Sequence, residues 1–200
     1  FNIEPIAIKR TSSYHDLKSN ESIISASNIR NKLKKNESIN NYLPQESFNN
    51  INNVNYDKYF ELLKYKIITE HNLARYLTVD EGIENKLKKV ILEVNNIENL
   101  LKKLKTKRYT YNKLNRMLVH ILVGLLKEDN NIPIDYIHVL GFNDKGKKYL
   151  NSIKKELVIP IKVNRNSKIF EYELKASLVY EILTTSNSYD FELKNKPILK

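Results

Sequence analysis

The sequence predicts an α+β protein that is predominantly helical, in which the tail of a Rossmann-like sheet is followed by a helical bundle and a small βαβ unit. Three observations predict this order. Residues 6–10 have the apolar character of a buried strand and precede a polar loop and a helix start. From residue 56 onward, apolar side chains recur with the period of an α-helix. Beyond residue 130, strand-like and helix-like segments alternate, as in a βαβ unit.

The first helix start has the features of a phosphate site. Residues 25–30 read Ser-Ala-Ser-Asn-Ile-Arg, so the free N–H groups of the helix, the positive end of its dipole and the Arg30 guanidinium would face one anion. Arg10, Ser25, Ser27 and Arg30 therefore form a candidate nucleotide-binding constellation, because ligands of doubly wound sheets bind beyond the carboxyl ends of the strands. The simpler alternative is that Ser25 or Ser27 only caps the helix.

The loop before this helix contains Tyr14-His15-Asp16, which offers either a proton-transfer or ribose-contacting group or an Asx turn with a solvated imidazole. No nucleophile, base and orienting group can be assembled from the sequence, so no catalytic residue is assigned. Because the chain begins at Phe1 and enters a strand at once, we expect it to be part of a longer protein.

Three regions are expected along the chain. They are a remnant of a nucleotide-binding domain over residues 1–36, an Asn-rich connector over residues 37–55, and a helical, basic domain over residues 56–200 with a small α/β element at 134–200.

In the helical region, the spacing of apolar residues and the residues at helix starts both predict helices. Helices are predicted to begin near residues 57, 83, 97 and 112. Residues 78–81 have the spacing of a capping box, in which the Thr78 hydroxyl would accept a hydrogen bond from the Glu81 amide. The helix over 112–126 is expected to lie at the centre of the bundle and to carry apolar side chains around most of its circumference. Its polar stripe of Lys113, Arg116 and His120 is expected to share one exposed face.

The last part of the chain is predicted to form the βαβ unit. Strands are expected at 136–142 and 159–163, on either side of a helix over 144–155 that Asn143 caps. A helix over 170–183 and a short strand around 190–198 are expected to follow.

Composition excludes several functional classes. Hydrophobic residues make up 41% and charged residues 28%, which is typical of an ordered, soluble protein, and no apolar run approaches a membrane span. The absence of cysteine excludes disulfides, thiolate zinc sites and a cysteine nucleophile. The four histidines, at positions 15, 71, 120 and 138, have no metal-type spacing, so no metal site is predicted.

Positive charge is concentrated in the middle of the chain. Residues 86–116 carry ten Lys or Arg and two Glu, so eight of the formal net charge of +11 lie in this segment. Such an asymmetry favours a polyanionic partner, above all nucleic acid. The alternative is a solvated, lysine-rich surface in a chain with a general Asn, Lys and Ile bias.

Cations and tyrosines alternate within this segment, a mixture that suits structured RNA with exposed bases. Alternatively, Tyr109 or Tyr111 could belong to the core. The candidate RNA-binding residues are Lys103, Lys105, Lys107, Arg108, Tyr109, Tyr111, Lys113 and Arg116.

A succession of short strings resembles the later half of the bacterial tRNA(Met) cytidine acetate ligases, members of the HxGH nucleotidyltransferase-like superfamily. The strings are IKR at 8–10, YHD at 14–16, SASNIR at 25–30, LKYK at 63–66, VDEGIEN at 79–85, KTKRYT at 105–110 and VLGFN at 139–143. They occur in order through nearly the whole chain, which makes the resemblance more specific than any one string.

The resemblance implies a cytoplasmic enzyme that activates acetate with ATP, accompanied by Mg²⁺, to acetyladenylate and passes the acetyl group to the wobble cytidine of elongator tRNA(Met). It implies that Arg10 contacts ATP. Ser27-Asn28 stands where Thr-Ala is more usual in the family, a difference that leaves the helix start intact. The HxGH signature matches nothing in these residues, so we expect this chain to be inactive alone, to bind tRNA and to supply only the rim of the ATP site. The alternative is a non-enzymatic basic module that binds RNA or protein.

Overall fold

A computed structural model describes residues 4–9, 13, 17–18, 22–44, 47, 53–194 and 196–199. The chain divides into two compact units, residues 1–51 and residues 52–200.

The described residues of the first unit include the helix α1 (Ala26–Lys34) and a short 3-10 turn at Asn40–Tyr42. Ser25 is the N-cap of α1: its side chain accepts a hydrogen bond from the Asn28 amide at 3.1 Å. The side-chain amide of Asn31 donates to the Leu17 carbonyl at 3.3 Å and so joins Leu17 to α1.

The strand predicted at residues 6–10 is not present in its described part. Residues 4–9 have no regular structure, and Ile6 and Ile8 are 84% and 88% exposed. The physical reason is that a strand needs a neighbour for its backbone N–H and C=O groups, and no described residue pairs with this segment. The prediction was therefore wrong for residues 6–9, while Arg10 lies outside the described residues.

The second unit is built on a helical bundle. Its helices are α2 (Tyr56–Thr69), α3 (Ile83–Glu93), α4 (Ile97–Leu104) and α5 (Tyr111–Val123). Asn55, Asn96 and Thr110 cap three of these helices through side-chain oxygens that accept backbone N–H groups of the first turn. The core is one continuous apolar cluster that includes Leu63, Ile67, Leu87, Ile91, Leu100, Leu104, Leu114, Met117, Leu118 and Ile121.

The helix predicted to be central occupies that position. α5 packs against α2 and α4 and against a later helix, α7 (Lys168–Leu183). Its exposed face differs from the prediction. His120 is half-buried and Val119 is exposed, so the polar stripe ends after Arg116.

The predicted capping box is not formed. α3 begins at Ile83, its N-cap is Gly82, and no side chain caps it. Thr78 and Glu81 lie in the left-handed region with φ of 67° and 56°, as does Gly82 at 79°. Both side chains that the box requires are engaged elsewhere, Thr78 with His120 and Glu81 with Arg108.

The C-terminal part contains β1 (Gly141–Phe142), α6 (Asp144–Ile153), α7, α8 (Ser188–Lys194) and β2 (Ile198–Leu199). β1 and β2 are parallel, with Gly141 opposite Ile198 and Phe142 opposite Leu199. Asn143 caps α6 by accepting from the Gly146 amide, as predicted. A parallel sheet and a helical majority are thus present, although the sheet has only two residues in each strand.

The strands of this part differ from the prediction. Residues 136–140 and 159–163 form no strand, and only one backbone hydrogen bond, from Ile137 to Pro160 at 2.9 Å, joins the two segments. Pro160 has no N–H to donate to a ladder, which explains why the second strand fails. The terminal strand expected around 190–198 is present only at Ile198–Leu199, and residues 188–194 form a helix instead.

No helix among the described residues is both long enough and apolar enough to cross a membrane.

Candidate functional site

Two segments that are far apart in sequence meet in the second unit. The loop at residues 77–82 faces the segment at 105–111, and the Tyr109 hydroxyl donates to the Asp80 carbonyl at 2.5 Å. Arg108 Nη1 donates to Glu81 Oε2 at 3.3 Å. An open pocket of about 370 Å³ lies at this junction and is lined by Glu81, Gly82, Ile83, Lys86, Thr106, Lys107, Arg108 and Tyr109.

The loop on one side of the pocket is held in a strained conformation. Thr78 and Glu81 are non-glycine residues with positive φ, which costs of order 1–3 kcal/mol each and is found preferentially at functional sites. His120 Nδ1 lies 3.1 Å from both the Thr78 hydroxyl and the Leu77 carbonyl and fixes the start of the loop. Lys127 fixes its middle: its Nζ donates to the Val79 carbonyl at 2.7 Å and pairs with Asp80 at 2.9 Å.

Sequence reasoning missed His120 and Lys127 as site residues. His120 had been assigned to an exposed stripe, and Lys127 to no role. Neither assignment could have been improved from local spacing, because His120 lies 42 residues from Thr78 and Lys127 lies 48 residues from Val79.

Tyr109 is a core residue and not a base-stacking platform. It is 4% exposed and belongs to the apolar cluster, and the Lys113 Nζ lies 4.1 Å from the centre of its ring. Burial, with smaller contributions from nearby acidic groups, raises the pKa of the Tyr109 hydroxyl, so it remains a hydrogen-bond donor. The structure thus agrees with the alternative in which Tyr109 is a core residue, and its 4% exposure does not favour the stacking role.

Tyr111 differs from Tyr109 in its surroundings. It is 44% exposed at the first position of α5, and the Lys105 Nζ lies 5.5 Å from the centre of its ring. The combination of an exposed aromatic ring and a neighbouring cation remains available to a nucleic acid.

The remaining predicted RNA-binding cations do not all share one location. Lys107 and Arg116 are exposed, and neither has an acidic partner within 4.0 Å in the described part of the chain. Lys103 pairs with Glu93 at 2.9 Å and lines a separate cavity at the corner between α3 and α4 together with Lys102. Only part of the basic segment therefore lines the pocket near Arg108.

The predicted phosphate site lies in the first unit. The Ser25 hydroxyl is buried and engaged in capping α1, which is the simpler of the two interpretations of this residue. Ser27 is half-buried and Arg30 is exposed on the first turns of the helix, whose first turn carries no acidic residue. Arg10 and Tyr14-His15-Asp16 lie outside the described residues.

The family model described as HIGH Nucleotidyl Transferase matches residues 1–195. The chain belongs to this family. The match extends across both compact units, so the helical bundle and the C-terminal α/β part belong to the family's pattern as well.

Curated relatives that this chain resembles are named tRNA(Met) cytidine acetate ligase. The protein from Clostridium perfringens is 34% identical over 99% of this chain and 53% of its own length. That from Clostridium acetobutylicum is 36% identical over 92% of this chain and 50% of its own. The resemblance found in the sequence is confirmed, and the chain spans about half the length of the curated relatives it matches.

Two solved structures share the fold of this chain. The apo crystal structure of Thermotoga maritima TmcAL (form I) superimposes with a TM-score of 0.74 at 18% identity, over 96% of this chain and 54% of that one. The structure of the same protein bound with alpha-thio ATP (form II) has a TM-score of 0.71 at 20% identity, over 88% and 52%.

Proposed function

We propose that this chain is the C-terminal part of an ATP-dependent tRNA(Met) cytidine acetate ligase. In the proposed reaction, an acetate oxygen attacks the α-phosphate of ATP, pyrophosphate leaves, and acetyladenylate forms. The exocyclic amine of the wobble cytidine then attacks the acetyl carbonyl, and AMP leaves. The observation that carries the proposal is the alignment of 99% of this chain with a relative of that name.

The second unit supplies tRNA binding in this proposal. Lys86, Lys107 and Arg108 surround one pocket, where long cations can neutralise successive phosphates. Tyr111 presents an exposed ring on which an unpaired base can stack. The strained loop at 77–82 forms the opposite wall of the pocket, and its fixed conformation keeps that wall ready for the RNA.

Other cations extend this proposed surface. Lys105 and Arg116 are exposed and lie near Tyr111 in sequence, while Lys103 reaches the RNA only if it exchanges its ion pair with Glu93. Lys113 has a supporting role, because its ammonium group covers the ring of the buried Tyr109.

The first unit supplies the rim of the ATP site in this proposal. Arg10, Ser27 and Arg30 contact phosphate groups of ATP, which carries Mg²⁺, and Ser25 holds the helix start in place by capping it. Acetate is the second small substrate. The tRNA substrate places the enzyme in the cytoplasm, and no catalytic acid or base is assigned to this chain.

The test is the salt dependence of tRNA binding by a double variant at the pocket. Lys107→Gln with Arg108→Gln removes two positive charges without placing a carboxylate beside Glu81. We expect tRNA affinity to fall by about 1 kcal/mol or more for each lost contact. The slope of log affinity against log salt should flatten by about 0.7–0.9 for each contact. Filter binding at several salt concentrations measures both quantities.

A matched control changes the same charge elsewhere. Lys147 and Lys148 are exposed on α6, and Lys147→Gln with Lys148→Gln removes the same two charges. Equal losses in both double variants would show that tRNA senses only net charge and would refute a binding site at the pocket. Heparin that competes as well as folded tRNA at equal charge would instead favour a non-enzymatic basic module.

A further inference from the structure

Three ligand-type side chains converge in the C-terminal part of the chain, and none of them lines the pocket beside Arg108. His138 lies in the irregular segment before β1, Glu173 on α7 and Glu192 on α8. His138 Nδ1 is 3.3 Å from Glu192 Oε1 and 3.7 Å from Glu173 Oε2. One donor atom from each residue lies within 4.8 Å of the other two.

The two carboxylates lack the cations that usually accompany such groups. Neither Glu173 nor Glu192 has a Lys or Arg nitrogen within 4.0 Å in the described part of this strongly basic chain. The Glu192 side chain is only 16% exposed, and its Oε1 accepts no hydrogen bond from the described residues. A buried carboxylate oxygen without a donor costs several kcal/mol unless a charge compensates it.

The pKa shift of Glu192 is consistent with the lack of a neighbouring Lys or Arg. Burial is the main cause that raises the pKa of the Glu192 carboxyl, His138 opposes the shift, and the Glu173 carboxylate adds a smaller rise. Two like charges and one imidazole therefore face each other across three elements of the fold. A bound cation would relieve both the repulsion and the unsatisfied oxygen.

The distances suit a transition-metal ion. Tetrahedral zinc with bonds of about 2.0–2.2 Å separates neighbouring donor atoms by about 3.4 Å. The separations of 3.3 and 3.7 Å around His138 Nδ1 are close to that value. Tyr136 donates a hydrogen bond to the Glu173 carboxylate, which is the supporting contact that oriented metal ligands commonly have.

We propose that His138, Glu173 and Glu192 bind one divalent transition-metal ion, for which zinc is the probe. The ion takes the imidazole Nδ1 and one oxygen from each carboxylate and leaves a fourth position for water. It joins the segment before β1 to α7 and α8, so its role is to hold the C-terminal α/β part together. An imidazole ligand excludes Mg²⁺ as the preferred occupant.

The test is metal binding by the untagged chain of 200 residues. Isothermal titration with Zn²⁺ should show one equivalent bound, and Co²⁺ should give the visible absorption of a four-coordinate site. Zn²⁺ should raise the melting temperature, whereas the same concentration of Mg²⁺ should not. His138→Gln and Glu192→Gln should each weaken zinc binding about a hundredfold or more, and Tyr136→Phe about ten- to a hundredfold.

Two controls separate this site from adventitious binding. His71→Gln removes another histidine, and Glu171→Gln removes a carboxylate of α7 that already pairs with Lys175 at 2.6 Å. Both variants should bind zinc as the unaltered chain does. If the unaltered chain binds no Zn²⁺ or Co²⁺, or if these controls lose as much affinity as the cluster variants, the proposal fails.

The metal-free protein gives an independent readout. Glu192→Gln removes one of two repelling carboxylates, so the melting temperature of the metal-free variant should equal or exceed that of the metal-free parent. A lower melting temperature together with no zinc effect on the parent would show that contacts with the His138 imidazole already satisfy the two carboxylates and would overturn the metal site.

Discussion

Tyr76 controls the ionisation of a single carboxyl group in the bundle. Its hydroxyl donates a hydrogen bond to Glu70, which also pairs with Arg75 at 3.0 Å and Lys66 at 3.7 Å. The hydrogen bond from Tyr76 is the largest cause that lowers the pKa of Glu70, from 4.5 to about 2. Because the folded-state pKa lies below the ordinary value, Glu70 stabilises the fold above pH 4.5, and this contribution is lost as the pH falls toward 2.

Tyr76→Phe should therefore raise the pKa of Glu70 toward its ordinary value. We expect the variant to lose about 1–2 kcal/mol of unfolding free energy at pH 7. The difference between the two proteins should shrink between pH 4.5 and 2, at no more than about 1.4 kcal/mol per pH unit. Carboxyl NMR titration and urea unfolding at several pH values measure the two effects. Tyr65→Phe, an exposed tyrosine of α2, is the control, and an equal pH dependence in both variants would refute the role of Tyr76.

Single residues also show where sequence reasoning reached its limit. Asn143 was predicted as a helix cap, capping by Ser25 or Ser27 was the alternative to a phosphate site, and both Asn143 and Ser25 are caps, because capping is decided within a few residues of the chain. Thr78 was predicted to cap a helix and does not, because its hydroxyl is used by His120 from a distant helix. Local rules hold where no tertiary contact competes for the same side chain.

At the scale of elements, Gly141 permits the closest approach between β1 and β2. A Cβ built at Gly141 would lie 2.9 Å from the Ile198 carbonyl oxygen, which is shorter than any comfortable contact, and the obstacle is backbone. Gly141→Ala should therefore push the strands apart at a cost of about 1–3 kcal/mol. The Ile198 amide, which donates to the Leu140 carbonyl at 3.0 Å, should exchange its hydrogen about tenfold faster or more.

Amide exchange in the bundle provides the internal control for this variant. The amide of Ile121, in the core of α5, should keep its protection, because the apolar cluster does not include β1 or β2. Unchanged exchange at Ile198 would show that the parallel pair tolerates the added methyl group. Loss of protection at both amides would show that the substitution unfolds more than the sheet.

The elements differ in how well the sequence predicts them. The helices α2, α4 and α7 follow from the spacing of their apolar residues, since a helix satisfies its own backbone within the segment. The strands do not follow, because residues 136–140 and 159–163 have strand-like composition but no ladder partner. β1 pairs with β2 across a connection of more than fifty residues, and no local sequence pattern encodes such a pairing.

For the molecule as a whole, the sequence predicted the family and part of the proposed site. Ordered motif strings carried the resemblance, and two of them, at 79–85 and 105–110, meet at one pocket. The burial of Tyr109 and the separate position of Lys103 could not be predicted, because both depend on how α4 and α5 pack. Charge concentration along a sequence indicates a polyanionic partner, but it does not determine which cations share a surface.

The proposed role of this chain, as the C-terminal part of a ligase, gives the last prediction. Given ATP, acetate and tRNA, this chain of 200 residues should form neither acetyladenylate nor acetylated cytidine. Its histidines at 15, 71, 120 and 138 are nowhere three residues apart, so an HxGH signature has no counterpart among them. Without such donors, the negative charge that develops on the leaving pyrophosphate has no preorganised stabilisation.

Two assays separate catalysis from binding in this experiment. Acetate-dependent exchange of pyrophosphate into ATP reports adenylate formation, and mass spectrometry of digested tRNA reports acetylcytidine. The same preparation should bind tRNA with the salt dependence of a multi-phosphate contact. Such binding would show that the chain is folded and able to bind tRNA. Exchange above the protein-free background would contradict the prediction, because the adenylate-forming groups would then have to lie within these residues.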